Sequence, residues 1–132
     1  MSEQQHEAGR ETDALVARVV FGFEVDQFQT GPKWGGVVNV DWFSRKPGSN
    51  AWEGKRVPRY STDIAAAMLV VERMWQGGLW CQMRNPFTRD DEYWCGFTPL
   101  GTTGWNGLPD YRASAPTLPL AICRAALAAV QS

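Results

Sequence analysis

A chain of 132 residues with 44% hydrophobic and 20% charged residues has the length and balance of one globular domain with a single core, which sets aside disordered, collagen-like and coiled-coil classes. Thirteen Lys and Arg against fourteen Asp and Glu give a formal charge of −1, so the cationic excess that duplex nucleic acid demands is missing. The only histidine is His6, and Cys81, Cys95 and Cys123 form no C-x-x-C pair, which removes His-dependent triads, H-E-x-x-H chemistry and cysteine-rich zinc sites and points to a reducing compartment.

Residues 1–11 are polar without periodic apolar positions and read as a mobile arm before one domain over 12–132. They do not resemble a secretion signal, and no apolar run approaches the roughly 18 to 20 residues of a membrane span. Thr12 is expected to cap a first helix carrying Leu15, Val16, Val19 and Val20, with Asp13 near its positive end and Gly22 as the stop. From Glu24 to Arg59 glycine and proline punctuate the chain and only Val37–Phe43 reads as a strand, so 24–59 is expected to be a loop-rich excursion.

A second helix is expected from Tyr60-Ser61-Thr62-Asp63 to Gln76, with Ile64, Met68, Val71 and Trp75 as its core stripe and Gly77-Gly78 as its end. Leu79–Arg84 and Tyr93–Thr98 alternate as an antiparallel hairpin. After a glycine-rich loop, 100–112, a last helix is expected near Thr117 with Pro119 in its first turn. Between Leu118 and Val130 its only charged residue is Arg124. Its two stripes, Leu120/Cys123/Leu127/Val130 and Leu118/Ile122/Ala125/Ala129, need two partners: the sheet, and either a neighbouring helix or a second subunit. A homodimer or larger even-numbered assembly is expected on that ground.

Three features carry chemistry. Trp34, Trp42 and Trp52 lie among Lys33, Arg45, Lys46, Lys55, Arg56 and Arg59, six cations against Asp41 and Glu53. Aromatic faces stack on bases and cations pair with phosphates, which suits a small nucleotide-like anion; the same tryptophans could equally anchor loops on the core. The helix start Tyr60-Ser61-Thr62-Asp63 offers amides and hydroxyls to an anion, or simply caps its helix. Thr117 before the last helix poses the same choice. The acidic run Asp90-Asp91-Glu92 reads as a solvated turn, and neither a metal nor a cofactor is implied.

The helical block Thr12–Ala17 ending at Gly22, the block Tyr60–Ala67, and the block Thr117–Leu127 together resemble the phage ABA-sandwich domain family, in the family's order. The resemblance implies an α+β fold, an α/β/α sandwich with a small antiparallel sheet of three to four strands between helical layers. It carries no catalytic signature, so no enzyme is expected. A small phage protein of this kind is expected in the cytoplasm of the infected bacterium, binding and sequestering a nucleotide-derived immune signal, a cyclic oligonucleotide or a cyclic ADP-ribose relative, without cleaving it. The alternative is a protein-interaction module that masks a host defence protein, with a nucleotide-degrading enzyme third.

Overall fold

The first helix begins earlier than Thr12. In the computed structural model, which describes residues 6–30, 39–50, 54–86, 91–99 and 111–131, α1 spans Arg10–Val19 with Gly9 at its N-cap. Thr12 sits in the first turn, buried, and its hydroxyl donates to the Glu7 carbonyl. Residues 6–11, expected in a mobile arm, are therefore tied down: Gly9 N donates to Ser61 Oγ at 3.0 Å and Arg124 Nε donates to the His6 carbonyl at 2.7 Å. Long-range bonds of this kind leave no signature in local polarity. Gly22, at φ +73°, ends the helical segment where a side chain would be strained.

Where a loop-rich excursion with one strand was expected over 24–59, the described residues of that stretch build a second sheet of three strands. β1 (Glu24–Thr30) pairs antiparallel with β2 (Asn39–Arg45), Glu24 opposite Arg45 and Phe28 opposite Asp41, and the short β3 (Lys55–Arg56) adds to β2 at Phe43 and Ser44. Val25 and Trp42 pack against the core. On the alternate positions Phe28 meets Phe43 edge-on at 5.5 Å, and Arg45 bridges Glu24 at 2.8 Å and Asp26 at 3.4 Å. Cross-strand pairs hold this sheet where apolar alternation is weak.

α2 spans Ile64–Gln76, with the Asp63 carboxylate accepting from Ala65 N at 3.0 Å as its cap. Its core face is a correction. Ala66, Ala67, Val70 and Met74 are buried, whereas Ile64, Met68 and Trp75 of the expected stripe are 46%, 42% and 57% exposed and Val71 is half-buried. Small residues win because α2 packs on α3, itself rich in alanine, and helices approach closely only where side chains are short.

The hairpin forms as expected: β4 (Leu79–Arg84) pairs antiparallel with β5 (Tyr93–Pro99), Cys81 opposite Phe97. The sequence reading missed β6 (Tyr111–Ala115), which pairs with β5 as the third strand of this sheet. α3 (Leu118–Gln131) lies against β5 and β6 and also touches α2 and α1. Leu120, Ile122, Cys123, Ala125, Ala126 and Leu127 are all buried, while Leu118 and Ala129 are half-buried and Val130 is exposed, so most of both stripes finds cover within the chain. Phe97 is fully buried beneath α3, a burial worth about 1.5 to 3 kcal/mol.

The α+β sandwich expected from the sequence is what forms, with the strands among the described residues divided between two three-stranded antiparallel sheets. α1 links the halves, packing on β1 and β2 and on α3. Its Asp13 is wholly buried and accepts from Ser61 N at 2.8 Å, from Ser61 Oγ at 2.7 Å and from Arg10 at 3.0 Å. Arg10 reaches on to Asp41 of β2 at 2.9 Å. This network pins segment 57–63 to α1 and so fixes one wall of the cleft described next.

Candidate functional site

Lys46-Pro47-Gly48-Ser49 turns the chain out of β2, Gly48 taking φ +81° and Ser49 N donating back to the Lys46 carbonyl at 3.0 Å. The turn, the β3 residues Lys55 and Arg56, and segment 58–60 face one another across a cleft of about 490 Å³. Arg45, Lys46, Lys55 and Arg56 supply four cations to its lining; Ser44, Ser49, Phe23, Pro58 and Tyr60 are the other described residues that line it. None of these nine residues is a carboxylate.

The four cations are not equivalent. Arg45 is spent within the fold, on Glu24, Asp26 and the Ser49 carbonyl. Arg56 lies over the Phe43 ring at 6.0 Å and 4.0 Å from Asp41, with its side chain mostly exposed. Among the described residues Lys46 and Lys55 have no carboxylate within ion-pair distance, and both are exposed. An incoming anion thus meets two unengaged ammonium groups and one loosely held guanidinium.

An aromatic ladder backs the cleft. Phe21 stacks on Phe23 at 5.7 Å and on Tyr60 at 5.2 Å, so the two rings that line the cleft, half-buried Phe23 and buried Tyr60, are joined through Phe21. Burial, with Cys123 and Asp13 adding, pushes the Tyr60 phenol from 10.0 up to about 12. The unfolded chain therefore ionises first, so the stabilisation is complete below pH 10 and lost as pH rises towards 12. Tyr60→Phe is expected to flatten the decline in urea midpoint across that window; an unchanged slope would assign it to other groups. Desolvation raises the carboxyl of Asp41, 4.0 Å from Arg56, but the bonds from Trp42 N and Arg10 outweigh it and hold that carboxyl below 3.8.

Of the residues singled out in the sequence, Arg45, Lys46, Arg56 and Tyr60 come together here. Trp42 does not: it is half-buried against the core. Arg59 is exposed beside the cleft without lining it, its carbonyl accepting from Thr62 N and Asp63 N. Ser61 is fully buried and its hydroxyl is engaged by Asp13 and Gly9. Thr62 is exposed in the turn, Asp63 caps α2, and Thr117 stands before α3 with its carbonyl accepting from Ala121 N. Trp34 and Trp52 fall outside the described residues. Phe23, Ser44, Ser49, Lys55 and Pro58 were missed; the charge count pointed to Lys55, while nothing local marked Phe23.

A wider depression of about 700 Å³ follows α1. It mixes Glu7 and Glu11 with Arg18, and its Arg10 is consumed by Asp13 and Asp41, so it offers an anion no comparable field. Among the described residues no group of three His, Cys, Asp or Glu is placed to hold a metal, and no helix is long and apolar enough to cross a membrane.

The model of the phage ABA sandwich domain matches residues 14–127. The chain belongs to that family. The match begins inside α1 and ends inside α3, so both sheets and the whole cationic cleft lie within the phage ABA sandwich domain. No curated protein and no solved structure matches the chain, and the cleft's role in this family member rests on its own residues.

Proposed function

We propose that the protein binds and sequesters a small nucleotide-derived anion, a cyclic oligonucleotide or cyclic ADP-ribose relative, in the cleft between the Lys46 turn and β3, and breaks no bond in it. The observation that carries this reading is the convergence of four cations from separate segments on a cleft of about 490 Å³, with no carboxylate among the described residues that line it. Phosphates would neutralise Lys46, Lys55 and Arg56, and a base would rest on Phe23. Ser44 and Ser49 would supply hydroxyls to a ribose. The lining holds charge and shape for binding; its side chains are donors, cations and rings, which suits capture better than turnover.

The phage setting gives capture a purpose. A stoichiometric binder made in the infected bacterial cytoplasm would lower the free concentration of an immune signal and so act against host defence. The other reading, a module that masks a host defence protein, draws on the exposed apolar residues of α2.

Thermal shift against cyclic dinucleotides, cyclic trinucleotides and cyclic ADP-ribose isomers tests the proposal. One class is expected to stabilise the fold, by about 2.7 kcal/mol at a hundredfold excess over Kd, and to be recovered intact after denaturation. Recovery of a cleaved product would make the protein an enzyme, and no stabilisation by any of the three classes would reject the cleft as a nucleotide site.

A further inference from the structure

We propose that the outward face of α2 is a self-association seam on which a second copy of this chain docks through its own α2, antiparallel about a twofold axis. The seam is separate from the cationic cleft and shares no residue with it. Ile64, Met68, Val71 and Trp75 recur at intervals of four, three and four residues. That is the rhythm with which one helix presents a narrow apolar line to another helix, narrower than the stripe a sheet covers. Ile64, Met68 and Trp75 are exposed, Leu69 is exposed beside them, and Val71 is half-buried. The core contact of α2 is met mainly by a different set, Ala66, Ala67, Val70 and Met74; of the seam residues Val71 alone also packs against the core, while Ile64, Met68 and Trp75 stand clear of it. A groove of about 560 Å³ runs along it, with Trp80, Cys81 and Met83 of β4 as the far wall.

The spacing calls for a helix, and the order of side chains calls for this one. An axis between Leu69 and Val70 sets Ile64 across from Trp75 and Met68 across from Val71. Each layer then joins a larger side chain to a smaller one, whereas parallel docking would stack Trp75 on itself. Self-complementarity of this sort is what a twofold contact requires. Charge agrees. Glu72 is the one charged residue among those lining the groove, and antiparallel docking carries it towards Ala65 of the second copy rather than towards another Glu72. Arg73 points elsewhere, its Nε donating to the Val20 carbonyl at 3.4 Å.

A helix of 13 residues is only about 20 Å long, so the contact area falls at or below the roughly 800 Å² a side of stable complexes. The dimer is therefore expected to form in the micromolar range. Sedimentation over increasing concentration should show monomer passing to dimer. Met68→Glu, on the exposed face, and Val71→Lys, at its half-buried edge where a long side chain can reach solvent, should each give a folded monomer by circular dichroism. Mixed together, the two variants should recover a dimer, because positions 68 and 71 oppose each other only in the antiparallel arrangement. Three results would overturn the proposal: a chain monomeric throughout, a dimer indifferent to Met68→Glu, or variants that fail to recombine. A host protein, or another segment of the same chain, found on α2 of a monomer would do so as well.

Discussion

Asp13→Ala is expected to lower the unfolding free energy by about 3 to 5 kcal/mol, the cost of removing one partner from a buried ion pair. Asp13 is wholly buried, and its two carboxylate oxygens accept from Ser61 N, Ser61 Oγ and Arg10. Without it the Ser61 amide loses its acceptor inside the protein and the Arg10 guanidinium keeps only Asp41 and a long contact to the Pro58 carbonyl. Against a total stability of about 5 to 15 kcal/mol the change would move the urea midpoint by a large fraction. Ser61→Ala should cost less, on the order of 1 kcal/mol, because the amide bond to Asp13 survives. A loss at Asp13 no larger than that at Ser61 would mean that the network is relaxed by water or by rearrangement.

Asp13 also marks the limit of what the sequence discloses. Its position in the first turn of α1 suggested only a partner for the helix dipole, and the meeting of α1 with a segment 48 residues away is what engages and buries it. The helices themselves were legible because caps, glycine stops and 3.6-residue periodicity are local: α2 ends at Gln76 as read, and α3, expected near Thr117, begins at Leu118. β4 and β5 were legible by alternation. β1 was not, since Glu24, Asp26 and Gln27 dilute its pattern, and its register comes from pairs such as Glu24 with Arg45. α2 shows the same limit in another form. Two apolar stripes run along it, and bulk favoured Ile64, Met68, Val71 and Trp75, whereas close approach to α3 selected Ala66, Ala67, Val70 and Met74. For the cleft, a charge count along the chain found Arg45, Lys46 and Arg56 because the turn and β3 fold back on β2 within a dozen residues. Phe23 was invisible because it arrives from before β1.

The difference between engaged and unengaged cations decides which variant should weaken ligand binding most cleanly. Arg45 closes the turn and balances Glu24 and Asp26, so Arg45→Ala would mix a structural loss with any loss of affinity. Lys46 and Lys55 hold nothing else in place among the described residues, and both are exposed. The double variant Lys46→Ala/Lys55→Ala should keep stability within about 0.5 kcal/mol of the parent. Each hydrogen bond from a charged group contributes about 1.5 to 3 kcal/mol, so the pair should lower affinity at least a hundredfold, at about 1.4 kcal/mol per factor of ten. The parent's affinity should itself fall as salt is raised, and the variant's much less, because the interaction lost is the one screened at an exposed site. Arg59→Ala is the internal control, an exposed cation near the cleft that does not line it, and should leave affinity unchanged. Titration calorimetry with whichever nucleotide class stabilises the parent reads all three. A double variant that binds like the parent would move the ligand away from this cleft, and an equal loss in Arg59→Ala would reduce the effect to the general field of the basic segment.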